Sequence, residues 1–279
     1  MTWPSMAIHA PVALQYAHRS DRGSMRRTND DTSAVEELPT GEGRTLLLAA
    51  VADGMGGGRA GAEASQIAVT TAFSFLRSHL KHLIPRTDAQ WQTLLIGTIE
   101  LANAAVHSRS LVNHRRTMGT TLMVAIVAGR RAHIAHIGDC RAYAVRPAVR
   151  RPQITRLTAE HTVVAELVDQ GALSYAEAKG HPQRHHLARA LGAEDAIEPE
   201  TTARTLRATE RLVLCSDGLP LHLSDTDIAR AVSDAPTPQA ACDRLIALAN
   251  ARGGRDNLSA IVISAMPAGS ATSQHLLPS

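Results

Sequence analysis

Apolar and polar residues repeat along this chain with two periods, and the two kinds of stretch come in blocks. Val12–His18 alternates, placing Val12, Leu14 and Tyr16 on one face of a strand. Thr45–Ala52 is almost continuously apolar, the pattern of a strand covered on both faces. Thr121–Ala128, His133–Ile137, Arg141–Val145, Arg211–Cys215 and Leu258–Ser264 share this character, and the turn Ala128-Gly129-Arg130 predicts an antiparallel hairpin. Elsewhere the spacing is helical. Ala64, Ala68, Ala72, Leu76 and Leu80 form one stripe, widened by Phe75 and Leu83, and Leu95, Ile99, Ala102 and Val106 form a second. Ser224 caps a helix through Val232 with Asp225 and Asp227 in its first turn; Ala241, Leu245 and Leu248 mark another, stopped by Gly253-Gly254. Strands, a helix pair, then strands again predict an α+β fold, with helices on the outer faces of antiparallel sheets.

Composition narrows this without redirecting it. With 279 residues, 44% hydrophobic and 20% charged, the chain suits a globular protein and excludes collagen, coiled coil and disorder. Residues 1–11 and 267–279 read as polar tails around one domain at 12–266. The longest apolar run, Leu46–Ala52, is far too short for a membrane helix, and the N-terminus lacks the pattern of a signal peptide. Cys140, Cys215 and Cys242 are odd in number and form no CxxC, which fits a reducing compartment and predicts a cytoplasmic protein. The formal charge is +3; the arginines are scattered, and only seven residues are Trp, Tyr or Phe. Neither a basic patch nor a base-stacking platform results, so nucleic acid is not an expected partner.

The informative feature is where aspartates fall. Asp53-Gly54 ends one apolar run, Gly138-Asp139 another and Asp217-Gly218 a third; Asp256-Asn257 precedes the last strand, and Asp30-Asp31 precedes Thr32–Val35. A single Asp-Gly is usually only a turn. Several gathered at one sheet edge would repel one another and require a cation. Hard oxygen ligands favour magnesium or manganese over zinc, and two such ions about 3.5–4 Å apart can clamp a phosphoryl oxygen.

Five motifs then appear in order: Gly23-Ser24-Met25-Arg26-Arg27-Thr28-Asn29-Asp30-Asp31; Val51-Ala52-Asp53-Gly54-Met55-Gly56-Gly57; Met118-Gly119-Thr120-Thr121; Ile137-Gly138-Asp139-Cys140-Arg141; and the pair Ser216-Asp217-Gly218 with Arg255-Asp256-Asn257. The ordered set resembles the PPM/PP2C-type metal-dependent serine/threonine protein phosphatases of the compact bacterial kind, over residues 12–264. The resemblance implies a four-layer α-β-β-α sandwich of two antiparallel sheets flanked by helix pairs. It implies two core Mn2+ or Mg2+ ions and a third, weaker position. Asp53 would bridge the core pair, with the Gly54 carbonyl completing one shell. Asp217 and Asp256 would hold one ion, Asp30 would approach the other through water, and Asp31 and Asp139 would serve the third. Arg26 would grip the substrate phosphate, Asn257 would orient Asp256 or its waters, and His161 is a supporting position. The implied reaction is direct attack of metal-activated water on phosphoserine or phosphothreonine, without a phosphoenzyme. The implied partners are phosphorylated proteins and an opposing Ser/Thr kinase in bacterial signalling, and a monomer is expected.

Three positions depart from the pattern. Met55 stands where many animal members carry a histidine and cannot protonate a leaving group. Asp30 stands where Glu or Gln is commoner, and His185 replaces a frequent asparagine. The stretch between Asp139 and Asp217 is the variable part. Short helices at Thr162–Gln170 and Ser174–Lys179 could be read as a DNA-binding helix-turn-helix, but the second lacks an arginine placed to read bases. The resemblance implies instead a flap beside the site at about 158–191.

Competing chemistries lack their partners. Cys215 has Leu221 where a cysteine phosphatase needs arginine, and Asp225 with Asp227 fits a helix cap better than a dehalogenase-type nucleophile pair. No zinc spacing, P-loop or GxGxxG occurs. A weakly active binding module would be expected to have lost a metal carboxylate, and none is lost.

Overall fold

The uninterrupted apolar run predicted to be covered on both faces is an interior strand of its sheet. The computed structural model describes residues 12–40, 45–56, 59–112 and 118–267. The expected tails at 1–11 and 268–279 lie outside them, while Pro267 ends the last strand. Three strands, β1 (Val12–Asp21), β2 (Asp31–Pro39) and β3 (Thr45–Met55), precede the helix pair α1 (Arg59–Leu80) and α2 (Asp88–Val112). Then come β4 (Gly119–Thr120), β5 (Leu122–Ala128), β6 (Arg131–Ile137), β7 (Arg141–Arg146) and β8 (Gln153–Arg156). Short helices α3 (Val163–Asp169) and α4 (Tyr175–Gly180) lead to β9 (Glu200–Thr205) and β10 (Arg211–Cys215). The chain continues with α5 (Gly218–His222), α6 (Asp225–Ser233), α7 (Pro238–Ala251) and β11 (Leu258–Pro267).

The strands make two antiparallel sheets. One has the order β1-β11-β10-β7-β8; the other has β2-β3-β5-β6-β9, with β4 added on β3. The predicted hairpin joins β5 and β6. Alternation along β3 shows how the layers stack. Leu46, Leu48, Ala50 and Ala52 pack with α1 and α2, while Leu47, Ala49 and Val51 pack between the sheets against Leu212, Leu214, Ile261 and Ile263. A third apolar layer joins the other sheet to α6 and α7 through Val213, Cys215, Val232 and Leu245. Three apolar layers between four layers of structure give the expected α-β-β-α sandwich.

Helix boundaries follow their caps. Ser224 and Asp227 form the reciprocal capping box of α6, and Thr237 caps α7 with Pro238 in its first turn. Two expectations fail at the margins. Leu83 lies past the end of α1 and is exposed. The face of β1 assigned to Val12, Leu14 and Tyr16 is not uniformly buried: Tyr16 is exposed and Ala17 is the buried residue, because β1 is an edge strand. The polar strands β8 and β9 were not predicted. No helix among the described residues is long and apolar enough to cross a membrane.

Leu47 has no exposed surface and lies between the sheets. Leu47→Ala should cost about 2–5 kcal/mol, since neither sheet can collapse onto the vacated volume. Urea unfolding checks this: the midpoint should fall with the slope unchanged.

Candidate active site

The predicted aspartates converge where strand ends from both sheets meet. Asp31 opens β2 and stands directly across from Asp53 near the end of β3. Asp139 follows β6, Asp217 follows β10, and Asp256 precedes β11. Main-chain bonds lock Asp53 from both sides. Its N–H donates to Thr121 Oγ1 (2.9 Å), and its carbonyl accepts from the Thr121 N–H (2.9 Å) and Thr120 Oγ1 (2.8 Å). The Met118-Gly119-Thr120-Thr121 motif is thus a brace for Asp53.

Asn257 works differently from the expectation. Its side chain accepts from the Asp30 N–H (2.8 Å) and donates to the carbonyls of Arg22 and Thr28 (both 2.8 Å). It therefore staples the loop that carries Arg26 and Asp30. Its backbone N–H, not its side chain, orients Asp256, donating to Oδ1 at 2.9 Å. Arg26 is half exposed at the mouth, and its Nη2 donates to Asp256 Oδ2 at 2.8 Å. Ser216, absent from the predicted site, donates to Asp31 Oδ2 at 2.7 Å while accepting from the Ser259 N–H. Its place beside Asp217 was the available signal.

The glycines of these motifs allow main chains to meet. A Cβ on Gly54 would lie 2.1 Å from the Gly61 carbonyl oxygen, and one on Gly218 would lie 1.9 Å from that of Asn257. At Gly54 the first turn of α1 and the Asp30 carbonyl together exclude a side chain.

Electrostatics mark the cluster as unbalanced. Burial, and then the charges of Asp217 and Asp256, push the Asp31 carboxyl up to about 7, against hydrogen bonds from Ser216 and Ser259. Asp53 and Asp139 are pushed well above the usual carboxylate range, first by burial and then by neighbouring carboxylates. Asp217 is raised by burial and Asp256, opposed by a hydrogen bond with Asp53 and by nearby His185. That gives His185 a place in the site which its sequence position did not reveal. Asp30 Oδ1, Asp31 Oδ1 and Asp217 Oδ1 are buried without a hydrogen-bond donor. Orphaned carboxylate oxygens in a group of like charges fit hard divalent cations.

His161 supports the site from behind through the Gly138 main chain. In front, a cavity of about 970 Å³ runs from Asp139 and Asp217 beneath α3 and α4, reaching Arg156, Tyr175, Arg184 and Leu221. Two short helices line this cavity, with Thr162 and Ser174 as their N-caps.

Comparison with known proteins agrees with this arrangement. PstP of Mycobacterium tuberculosis, a serine/threonine protein phosphatase, is 37% identical over 252 residues, covering 90% of this chain and 45% of PstP. The chain thus spans about half the length of that relative. The serine/threonine phosphatase stp of Listeria monocytogenes is 34% identical over 247 residues, covering 88% of this chain and 93% of stp. The catalytic domain of PstP, solved in complex with two manganese ions, superposes with a TM-score of 0.74 at 35% identity, covering 91% of this chain and 99% of that one. A family model described as protein phosphatase 2C matches residues 24–261. Since that match runs through both sheets and takes in every aspartate of the cluster, the chain belongs to the protein phosphatase 2C family.

Proposed function

We propose that this protein hydrolyses phosphoserine and phosphothreonine esters on proteins in a manganese- or magnesium-dependent reaction. The observation that carries this reading is the cluster of aspartates from both sheets whose buried oxygens lack donors. The likeness to PstP and stp, both serine/threonine phosphatases, supports it.

Asp53, Asp217 and Asp256, with the Gly54 carbonyl, would hold two ions; Asp30 would contribute through water, and Asp31 and Asp139 would hold a third. When bound, the ions supply Lewis-acid neutralisation of the phosphoryl oxygens and lower the pKa of the attacking water. The protein supplies placement. Thr120 and Thr121 fix Asp53, Ser216 fixes Asp31, and Asn257 holds the loop bearing Arg26 and Asp30. Arg26 would bind two phosphate oxygens through its planar fork, with Asp256 keeping the guanidinium aimed. Met55 pairs with Gly119 across β3 and β4 and has no proton to give, so another group serves the leaving oxygen.

The cavity under the flap has room for polypeptide around the phosphorylated residue, which supports a protein substrate. In this reading the phosphatase domain is 12–266, with the flap at 158–191, and a serine/threonine kinase supplies the substrate. The three cysteines are buried and free, which supports a cytoplasmic setting, and the exposed apolar side chains Met25, Leu83, Leu101 and Leu111 lie apart in the sequence, as in a monomer.

Phosphate release from a phosphothreonine peptide should require manganese and stop with EDTA. Manganese at about a hundred times its dissociation constant should stabilise the protein by about 2.7 kcal/mol, raising Tm by about 5–10 °C in a chain this size. A melting temperature indifferent to manganese, with no phosphate released, would overturn the reading.

A further inference from the structure

Behind the turn that carries Asp139 lies a buried polar group that the proposed reaction does not use. His136 on β6 and His161 at the start of the flap stack with ring centroids 4.7 Å apart, and both are almost wholly buried. One nitrogen from each ring and the carboxylate of Glu200 on β9 lie within 4.8 Å of one another. That spacing alone would admit a metal ion.

The proton positions point elsewhere. The Gly138 N–H donates to His161 Nδ1 at 3.2 Å, so Nδ1 carries a lone pair and the neutral ring bears its proton on Nε2. Burial, and then neighbouring His136, push His161 down to about 4, which keeps the ring neutral at pH 7. A nitrogen that holds a proton cannot ligate a metal. His161 Nε2 is buried, makes no well-aligned hydrogen bond, and faces Glu200 Oε1 at 3.2 Å. The adjacent His136 Nε2 sits 2.9 Å from the Ala159 carbonyl and is the protonated nitrogen of that ring.

His161 grips Gly138 by both of its main-chain groups. Besides the ring contact, the His161 N–H donates to the Gly138 carbonyl at 3.1 Å. Gly138 has φ +102°, and a Cβ there would lie 2.5 Å from Thr121 Cγ2, so the turn is both unusual and tightly seated. Glu200 Oε1 also lies 3.5 Å from Arg189 Nη1, and Arg189 Nε donates to Glu166 of α3. A chain of polar contacts therefore runs from the Asp139 turn to the flap.

We propose that Glu200 and His161 are a positioning pair: Glu200 holds His161 in its Nε2–H tautomer, and His161 sets the Gly138 turn that presents Asp139. The proposal rests on reading Asp139 as a metal-holding carboxylate. Loss of such an outer partner typically weakens metal binding by about 10–100-fold. Glu200→Leu removes the acceptor, whereas Glu200→Gln keeps one, and Glu200 is exposed enough for either variant to fold.

Two measurements test the pair, and neither needs turnover. In histidine-labelled, metal-free protein, ¹⁵N NMR should find His161 as the Nε2–H tautomer in the wild type and in Glu200→Gln. In Glu200→Leu the ring should lose its coupling to Gly138. Manganese titrations followed by calorimetry should require about tenfold more metal at the weakest binding step, the one Asp139 would serve, in Glu200→Leu, with Glu200→Gln within about twofold of wild type. An Nδ1–H tautomer in the wild type, or equal manganese requirements in all three proteins, would overturn the proposal. So would stoichiometric zinc that shifts both rings, which would establish a metal site there instead. If manganese shifts no melting temperature at all, the phosphatase reading fails, and the tautomer still decides whether the pair exists.

Discussion

Asp53→Asn is expected to lower manganese-dependent turnover of p-nitrophenyl phosphate by about 10³-fold or more, while raising the melting temperature of the metal-free protein. The two effects have one cause. Asp53 lies across from Asp31 and close to Asp217, so without cations three carboxyl groups compete for one small volume. Asparagine keeps the shape and removes a charge, relieving repulsion in the metal-free fold. It would also remove a carboxylate proposed to hold the ions, and the loss should exceed the 10–100-fold typical of an outer-shell partner. The main-chain bonds from Thr120 and Thr121 do not involve the carboxyl, so the local backbone should stay in place. Kinetics and calorimetry on the same preparation test both halves. Full turnover in the variant would sink the assignment of Asp53.

Gly54→Ala should be among the most damaging single-methyl changes at the described glycines. The added carbon would lie 2.1 Å from the Gly61 carbonyl oxygen and 2.7 Å from that of Asp30. Both obstacles are main chain, so no side-chain rotation relieves them. Relief requires α1 to move off β3 and the Asp30 loop to lift, and the second movement displaces a residue proposed to serve the metal site. A destabilisation of about 3 kcal/mol or more is expected, with loss of activity beyond what unfolding explains. Gly97→Ala is the control: it lies inside α2 with nothing within 4 Å of the new carbon. It should be stabilising by about 0.5–1 kcal/mol. Equal behaviour of the two variants would show that α1 does not depend on Gly54.

Much of the framework was legible because burial imposes a period. The stripe from Ala64 to Leu80 lies within α1, and the apolar run in β3 predicted a strand covered on both faces. What escaped was polar. β9 (Glu200-Thr201-Thr202-Ala203-Arg204-Thr205) is an edge strand with one partner and lacks the alternation by which strands are recognised. α5 is five residues long, too short to show a helical period. Within the site, the aspartates were legible from their place at strand ends, whereas the groups that hold them were not. Ser216, Thr120 and Thr121 act through hydrogen bonds to residues far away in the chain, and no spacing records such bonds.

The sequence by itself determined the fold class, the set of aspartates and the need for a cation among them, because hydrophobic period and like charge are properties of residue type and order. The tertiary structure decided the rest. It brought Asp31 opposite Asp53, turned the Asn257 side chain to the Arg22–Asp30 loop rather than to Asp256, and set Glu200 against His161. These outcomes depend on strand register, on main chains meeting at Gly54 and Gly218, and on which proton a buried imidazole carries. All three are set by contacts between residues distant in the chain, and a linear pattern does not contain them.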